Sequence, residues 1–250
     1  MRRPACHALV PAAGSGARFA ASADDADDTP KQYRVLGGKP LIWHSLSGLL
    51  AAPWIARVWV VLAQDDREWS ARQNSWRWPD NGECKLGVLA CGGPSRAASV
   101  ANGLAQMPLD NDDWVLVHDA ARPCLSAAAL QKLYDLLYAD PVGGLLAEPL
   151  ADTLKRAGSE SADNPRVNTT VPRELMWLAQ TPQMFRYQLL RRALVDTQEV
   201  SDEAAAIEAL GHAPRLIANG EHNPKITWRS DLKLAAAILR ARADASNQST

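Results

Sequence analysis

The segment P-A-A-G-S-G-A-R, Pro11–Arg18, places two glycines and an arginine directly after a short apolar run. Gly14 and Gly16 let the backbone turn tightly and bring N–H groups against an anion, and Arg18 adds charge-assisted hydrogen bonds. This is the chemistry of a phosphate cradle. Its spacing excludes two common versions of one. A dinucleotide fingerprint, G-x-G-x-x-G, needs glycine where Phe19 stands, and the G-x-x-x-x-G-K-[ST] of a P-loop is absent. A bare strand-to-helix turn explains the glycines but leaves the arginine without a purpose.

Three more segments carry the same kind of chemistry. P-K-Q-Y, Pro30–Tyr33, supplies Lys31, an ordinary solvated lysine taken alone. Near a phosphate loop it becomes a compact cation able to balance charge that builds on a triphosphate during transfer. G-G-P-S-R-A-A-S-V, Gly92–Val100, pairs glycines that allow close approach to a flat base with Pro94, Ser95, Arg96 and Ser99 at the start of a helix. H-D-A-A-R-P, His118–Pro123, follows W-V-L-V and delivers Asp119 and Arg122 three residues apart. A local Asp119–Arg122 salt bridge is the bland reading of that pair, and His118 reads as structural.

The elements around these segments alternate. Ala8–Pro11, Val58–Ala63, Leu86–Ala90, Trp114–His118 and Gly143–Ala147 read as strands. Leu41–Ala51, Ser95–Gln106 and Ser126–Tyr138 read as helices, the last capped by Ser126. This rhythm predicts an α/β fold with a mainly parallel sheet and helices on both faces. Three of the four segments then follow strands, so they open on the carboxyl edge of the sheet, where such folds bind ligands. Together they suit a phosphate-rich ligand and offer no Ser-His-Asp or Cys-His nucleophile.

From about Pro149 to Pro172 the rhythm breaks, with an unpatterned stretch at Gly158–Asn168 that suggests an arm leaving the domain. Tyr187–Val195, Asp202–Leu210 and Asp231–Arg242 return to helix, Arg215–Ala218 to strand, and Ser246–Thr250 is expected to be a disordered tail. Ala20–Thr29, with four aspartates, reads as a flexible solvated loop. Glu68–Trp78 holds Trp69, Trp76 and Trp78, which read as helix packing, with an exposed contact surface as the alternative.

Bulk properties narrow the class. The chain has 250 residues, 47% apolar and 22% charged, with a formal net charge of −1. This is enough for one sizeable core, and it gives no broad pull toward nucleic acid or an anionic membrane. Cys6, Cys84, Cys91 and Cys124 show no zinc-ligand or disulfide spacing and are expected as reduced thiols. No apolar run approaches the roughly 20 residues needed to span a bilayer, and a cytoplasmic location is expected.

In combination, P-A-A-G-x-G-x-R, P-K-Q-Y, H-D-A-A-R-P, D-T-x-K-R, T-P-Q and I-T resemble the 2-C-methyl-D-erythritol 4-phosphate cytidylyltransferases of the non-mevalonate isoprenoid pathway, over about Leu9 to Leu239. The resemblance implies a Rossmann-like fold over residues 1–250, with a projecting β-arm at about 149–175 that embraces a second subunit to make a homodimer. It implies transfer of the cytidylyl group of CTP to 2-C-methyl-D-erythritol 4-phosphate with release of pyrophosphate. It also implies a divalent metal, usually magnesium, held mainly by the CTP phosphates.

By motif, Arg18 and Lys31 resemble the transition-state stabilisers of that family. Pro11, Ala12, Ala13, Gly14, Gly16, Gly93, Arg96 and Ser99 correspond to nucleotide contacts. Asp119, Ala120, Arg122, Thr153, Thr181 and Ser201 correspond to the acceptor side. Arg173 and Lys225 would position the acceptor phosphate, with Arg173 reaching into the partner's site. Ser201 stands where the family usually has threonine, Pro172 and Pro94 replace acidic residues, and the acidic insert is longer than usual. A related nucleotidyltransferase for another sugar phosphate or for the molybdenum cofactor, a non-catalytic nucleotide-binding regulator and a nicotinamide oxidoreductase are the alternatives. The D-T-x-K-R and T-P-Q segments, the two cations and Phe19 weigh against these in turn.

Overall fold

A computed structural model describes residues 2–14, 16, 19, 29–158, 164–196 and 200–248. The chain opens with strand β1 (Cys6–Pro11), a two-residue ribbon of β2 (Val35–Leu36) and β3 (Lys39–Pro40), helix α1 (Leu41–Ala51) and strand β4 (Ile55–Val61). Then come α2 (Glu68–Arg72), β5 (Leu86–Leu89), α3 (Arg96–Gln106), β6 (Trp114–Val117), α4 (Ala127–Leu137) and β7 (Gly143–Pro149). The last part runs through β8 (Leu154–Ala157), β9 (Val167–Val171), β10 (Trp177–Arg186), α5 (Tyr187–Asp196), α6 (Glu203–Ala209), β11 (Arg215–Ala218) and α7 (Asp231–Gln248).

Among the described residues, seven strands form one sheet in the order β11-β7-β10-β6-β1-β4-β5. β1 lies inside it, pairing in parallel with β4 and β6, and every residue from Cys6 to Val10 is buried. Burial on both faces is what a strand covered by helices on each side requires. Ala8 and Val10 face a cluster with Ile42, Leu46 and Leu49 of α1 and Leu130, Leu133 and Leu137 of α4. Leu9 faces the other way, against Val100 and Leu104 of α3, Leu190 of α5 and Ile207 of α6. The mainly parallel sheet with helices on both faces is therefore present.

Helix starts follow the local chemistry. Ser95 accepts a hydrogen bond from the N–H of Ala98, Ser126 from Ala129 and Asp202 from Ala205, each satisfying an orphan donor of a first turn. Two features differ from expectation. The helix beginning at Asp231 does not end at Arg242 but continues to Gln248, so its last residues are helical where a disordered tail was expected; residues 249–250 lie outside the described set. β10, ten residues long, is an antiparallel strand inserted between β7 and β6.

The excursion after β7 is a hairpin. β8 and β9 pair antiparallel in a two-stranded sheet of their own, from Leu154↔Val171 to Ala157↔Val167, and most of their side chains are exposed. Residues 159–163 of the stretch expected to be unpatterned are outside the described set, as are 20–28 of the acidic insert. Trp69 and Trp76 are buried and meet edge to face at 5.0 Å, so packing accounts for this part of the tryptophan cluster. All four cysteines are free thiols.

Candidate active site

At the carboxyl end of β1 the chain bends into a cavity of about 510 Å³. Pro11, Ala12, Ala13, Gly14 and Gly16 form one wall, and Gly93, Pro94, Ser95, Arg96 and Ser99 form another. Lys31, Asp119, Ala120 and Lys225 complete the lining, together with Gln32 and Ala121. Twelve of the residues to which the resemblance gives a site role thus share one concave surface. Arg18 lies outside the described residues.

The loops are stitched to one another. Gln32, buried, donates from Nε2 to the carbonyl of Ala12 at 2.8 Å and so ties P-K-Q-Y to the first loop. Gly16 has φ +74°, and a Cβ there would fall 2.7 Å from Cβ of Lys31, so only glycine permits this approach. Ser99 accepts from the N–H of Gly93 at 3.0 Å and donates to the carbonyl of Ser95 at 2.9 Å, which fixes the turn before α3. A side chain on Gly92 would collide with Ala13, so the two glycine loops can pack only without one.

Among the described residues, Asp119 is the sole carboxylate on the cavity lining, and it is almost fully buried. Its Oδ1 accepts from Nε of Arg96 at 2.8 Å, and its Oδ2 lies 2.9 Å from the ammonium of Lys225. Burial favours the neutral acid, but Arg96, Lys225 and Arg122 outweigh it and hold the carboxyl well below its usual range. The local Asp119–Arg122 bridge is present at i,i+3, with Nε 3.6 Å from Oδ2, but Arg96 and Lys225 hold the carboxylate more closely. Nη1 of Arg122 donates to the carbonyl of Asn223 at 2.7 Å.

The loop carrying Lys225 is docked on H-D-A-A-R-P. The N–H of Ile226 donates to Ala121 at 2.8 Å, and the amide nitrogen of Asn223 donates to the carbonyl of Thr181 at 2.9 Å. Lys31 donates to the carbonyl of Ile226 at 2.8 Å, so the two lysines reach the cavity from adjoining anchors. Thr181, buried, accepts from the N–H of Asp119 at 3.0 Å and lies 3.1 Å from Nδ1 of His118. His118 is structural here: fully buried, its Nε2 3.1 Å from the carbonyl of Arg122 and its pKa pushed down to about 4 by burial.

A second cavity of about 240 Å³ adjoins the first, lined by Arg122, Glu148, Gln180, His222, Asn223 and Lys225 among others. Thr153 and Arg173 lie at the base of the hairpin, exposed, and line neither cavity within one chain. Arg173 donates to the carbonyl of Ala151. Ser201 is exposed, one residue ahead of the cap of α6. Buried thiols offer no nucleophile, since burial raises the pKa of Cys91, and that of Cys124 to about 11.

Two further residues organise the site. Gln32 stood inside a quoted motif, and its burial was its only missing signal. Glu203 is 1% exposed and grips Arg96 with both oxygens, at 2.7 and 3.0 Å. It lies 107 positions from Arg96, so no local pattern pairs them.

A model of the IspD family, 2-C-methyl-D-erythritol 4-phosphate cytidylyltransferase, matches residues 6–241. The 2-C-methyl-D-erythritol 4-phosphate cytidylyltransferase of Dechloromonas aromatica is 55% identical over 241 residues, covering 96% of this chain and 99% of its own. That of Laribacter hongkongensis is 53% identical over 236 residues, covering 94% and 96%. A crystal structure of 4-diphosphocytidyl-2C-methyl-D-erythritol synthase superposes with a TM-score of 0.79 at 34% identity, covering 96% of this chain and all of that one. The Francisella tularensis 2-C-methyl-D-erythritol 4-phosphate cytidylyltransferase superposes with a TM-score of 0.74 at 31% identity, over 94% and 99% of the two chains. With the family model spanning nearly the whole chain and relatives above half identity, this protein belongs to the 2-C-methyl-D-erythritol 4-phosphate cytidylyltransferase family.

Proposed function

We propose that this protein transfers the cytidylyl group of CTP to 2-C-methyl-D-erythritol 4-phosphate, giving 4-diphosphocytidyl-2-C-methyl-D-erythritol and pyrophosphate. One observation carries the reading beyond family membership: the glycine loops, Lys31, Asp119 and Lys225 converge on a single cavity at the carboxyl edge of β1. Backbone amides of Ala13, Gly14 and Gly16 hold the nucleotide, and the small residues Ala12, Ala13 and Gly93 leave room for a flat base. Asp119, Ala120, Arg122 and Thr181 form the acceptor side.

The chemistry is direct displacement. An oxygen of the acceptor phosphate is already a nucleophile, so no strong general base is needed. It attacks the α-phosphorus in line, a new P–O bond forms, and the bond from that phosphorus to the bridging oxygen breaks. The electron pair leaves with pyrophosphate. Lys31 and Arg18 offset the charge that builds on the triphosphate, and Lys225 holds the acceptor phosphate in place.

A divalent ion, magnesium for preference, supplies charge neutralisation on the triphosphate when bound. Among the described residues, no group of three or more His, Cys, Asp or Glu side chains could hold it, and Asp119 is committed to cations. The phosphates themselves would provide most of its ligands.

The active form is a homodimer in the cytoplasm. Val167 of the hairpin, Leu175, Met176 and Leu178 are exposed, Leu175 by 94%, and a second copy would cover this apolar run. Arg173 and Thr153 of each arm would then complete the acceptor side of the partner's site. No helix among the described residues is long and apolar enough to cross a membrane. Phosphorus NMR of CTP incubated with the acceptor tests the function. The proposal expects two diphosphate-ester resonances with free pyrophosphate, and unchanged CTP after prolonged incubation with magnesium overturns it.

A further inference from the structure

Glu203 is a charged side chain with almost no exposure, at the start of a seven-residue helix and away from the cavity lining. Burying a carboxylate is costly unless it is paired, and here the two-pronged bond to Arg96 supplies the pairing. The fold holds the carboxylate in place. Asp202 caps α6 and accepts from Nε2 of Gln183 at 2.9 Å, while Oε1 of the same glutamine accepts from the N–H of Ala204 at 2.7 Å. Gln183 belongs to β10, beside Val117 of β6. The glutamate is therefore fixed to the central sheet on the element next to the strand that delivers Asp119.

The consequence falls on Arg96. Its two terminal nitrogens face Glu203, which leaves the Nε edge for Oδ1 of Asp119. Arg96 also lines the cavity with Gly14, Gly16 and Lys31, so without Glu203 its guanidinium would sit within a wall built for polyphosphate. We propose that Glu203 is a positioning residue that commits Arg96 to Asp119 on the acceptor side and withholds it from the triphosphate and from pyrophosphate. This rests on the assignment of the cavity to a nucleoside triphosphate and an acceptor. It assigns selectivity between the two sides of the site to a residue that touches neither ligand.

The two halves of the proposal predict shifts of opposite sign in Glu203→Gln, which keeps the shape and removes the charge. The Michaelis constant for 2-C-methyl-D-erythritol 4-phosphate should rise about tenfold, because Asp119 loses its fixed partner. The dissociation constant for pyrophosphate, read by calorimetry without turnover, should fall about tenfold, because Arg96 is released toward it. A residue that merely supports the fold would weaken both together. A parallel loss, or no change in either, overturns the proposal. Should Glu203→Gln not fold, Glu203→Asp carries the test: its carboxylate is drawn back by one methylene, the same opposite shifts are expected at smaller size, and parallel loss again overturns it. The calorimetric arm does not need an active enzyme, and wild-type protein inert toward CTP and the acceptor would count against the functional reading instead.

Discussion

The ammonium of Lys225 lies 2.9 Å from Oδ2 of Asp119, so two residues proposed for the acceptor side pair with each other before any ligand binds. Asp119 is buried and held by Arg96 on its other oxygen, while Lys225 is 39% exposed at its side chain. Lys225 is the solvent-facing member of the pair. An arriving phosphate dianion competes with a single carboxylate oxygen for it.

That competition makes Lys225 a binding residue for the acceptor rather than for CTP. Lys225→Ala should raise the Michaelis constant for the acceptor about tenfold, roughly 1.4 kcal/mol. CTP affinity by calorimetry should stay within about twofold of wild type. Equal losses on both substrates would argue against the assignment.

Lys31 and Gly16 form one unit, because a Cβ at Gly16 would press 2.7 Å from Cβ of Lys31. Lys31→Ala should lower kcat on the order of 10²-fold, roughly 3 kcal/mol. Gly16→Ala should lower kcat in the same direction with Lys31 still present, and the double variant should be little worse than Lys31→Ala alone. Steady-state rates at saturating CTP measure all three, and normal turnover by Lys31→Ala would remove it from the mechanism.

Arg173 lines neither of the two site cavities of its own chain, so its proposed role depends on a second copy. Arg173→Ala should impair use of the acceptor while sparing CTP binding. Mixing it with an otherwise inactive Lys31→Ala subunit should restore activity in the heterodimer, up to about one working site in two. Failure of every mixture to exceed its parents would place Arg173 outside a shared site.

The catalytic edge was more legible than the far half of the sheet. β1, β4, β5 and β6 carry the apolar runs Ala8–Val10, Val58–Val61, Leu86–Leu89 and Trp114–Val117, followed by glycine or charged loops, a pattern that fixes both the strand and the place of its ligand loop. β10 hides because W-L-A-Q-T-P-Q-M-F-R carries two buried glutamines and a proline, and its pairing with β7 is irregular between Ala179 and Gln183. Those polar residues are there for other elements. Gln183 holds α6, Gln180 accepts from Asn219 at 2.8 Å, and Thr181 receives Asp119. Glu203 was unreadable for a similar reason, since its partner is distant in sequence and its neighbours Ala204–Ala206 spell an ordinary helix.

His118 gives the protein a defined acid sensitivity. Its folded pKa of about 4 lies below the ordinary 6.5, so the unfolded chain takes up a proton that the folded chain refuses. Stability from this residue is full above the unfolded pKa and is lost as pH falls from about 6.5 toward 4, on the order of 3 kcal/mol in total. Burial also lowers His7 and His44, which add to the same slope. Asp119, held low by its cations, contributes only below about pH 4. Denaturant unfolding at pH 7 and pH 5 should therefore show a smaller difference for His118→Gln than for wild type. An unchanged slope would mean that His118 is not buried neutral.

Pyrophosphate release by the wild-type protein, measured with CTP, ATP, GTP or UTP against 2-C-methyl-D-erythritol 4-phosphate and other sugar phosphates, tests the central claim most directly. The account predicts that CTP with 2-C-methyl-D-erythritol 4-phosphate gives the highest kcat/KM of the panel, with magnesium present. A higher kcat/KM for another nucleotide or another acceptor, or no release with any pair, would contradict it.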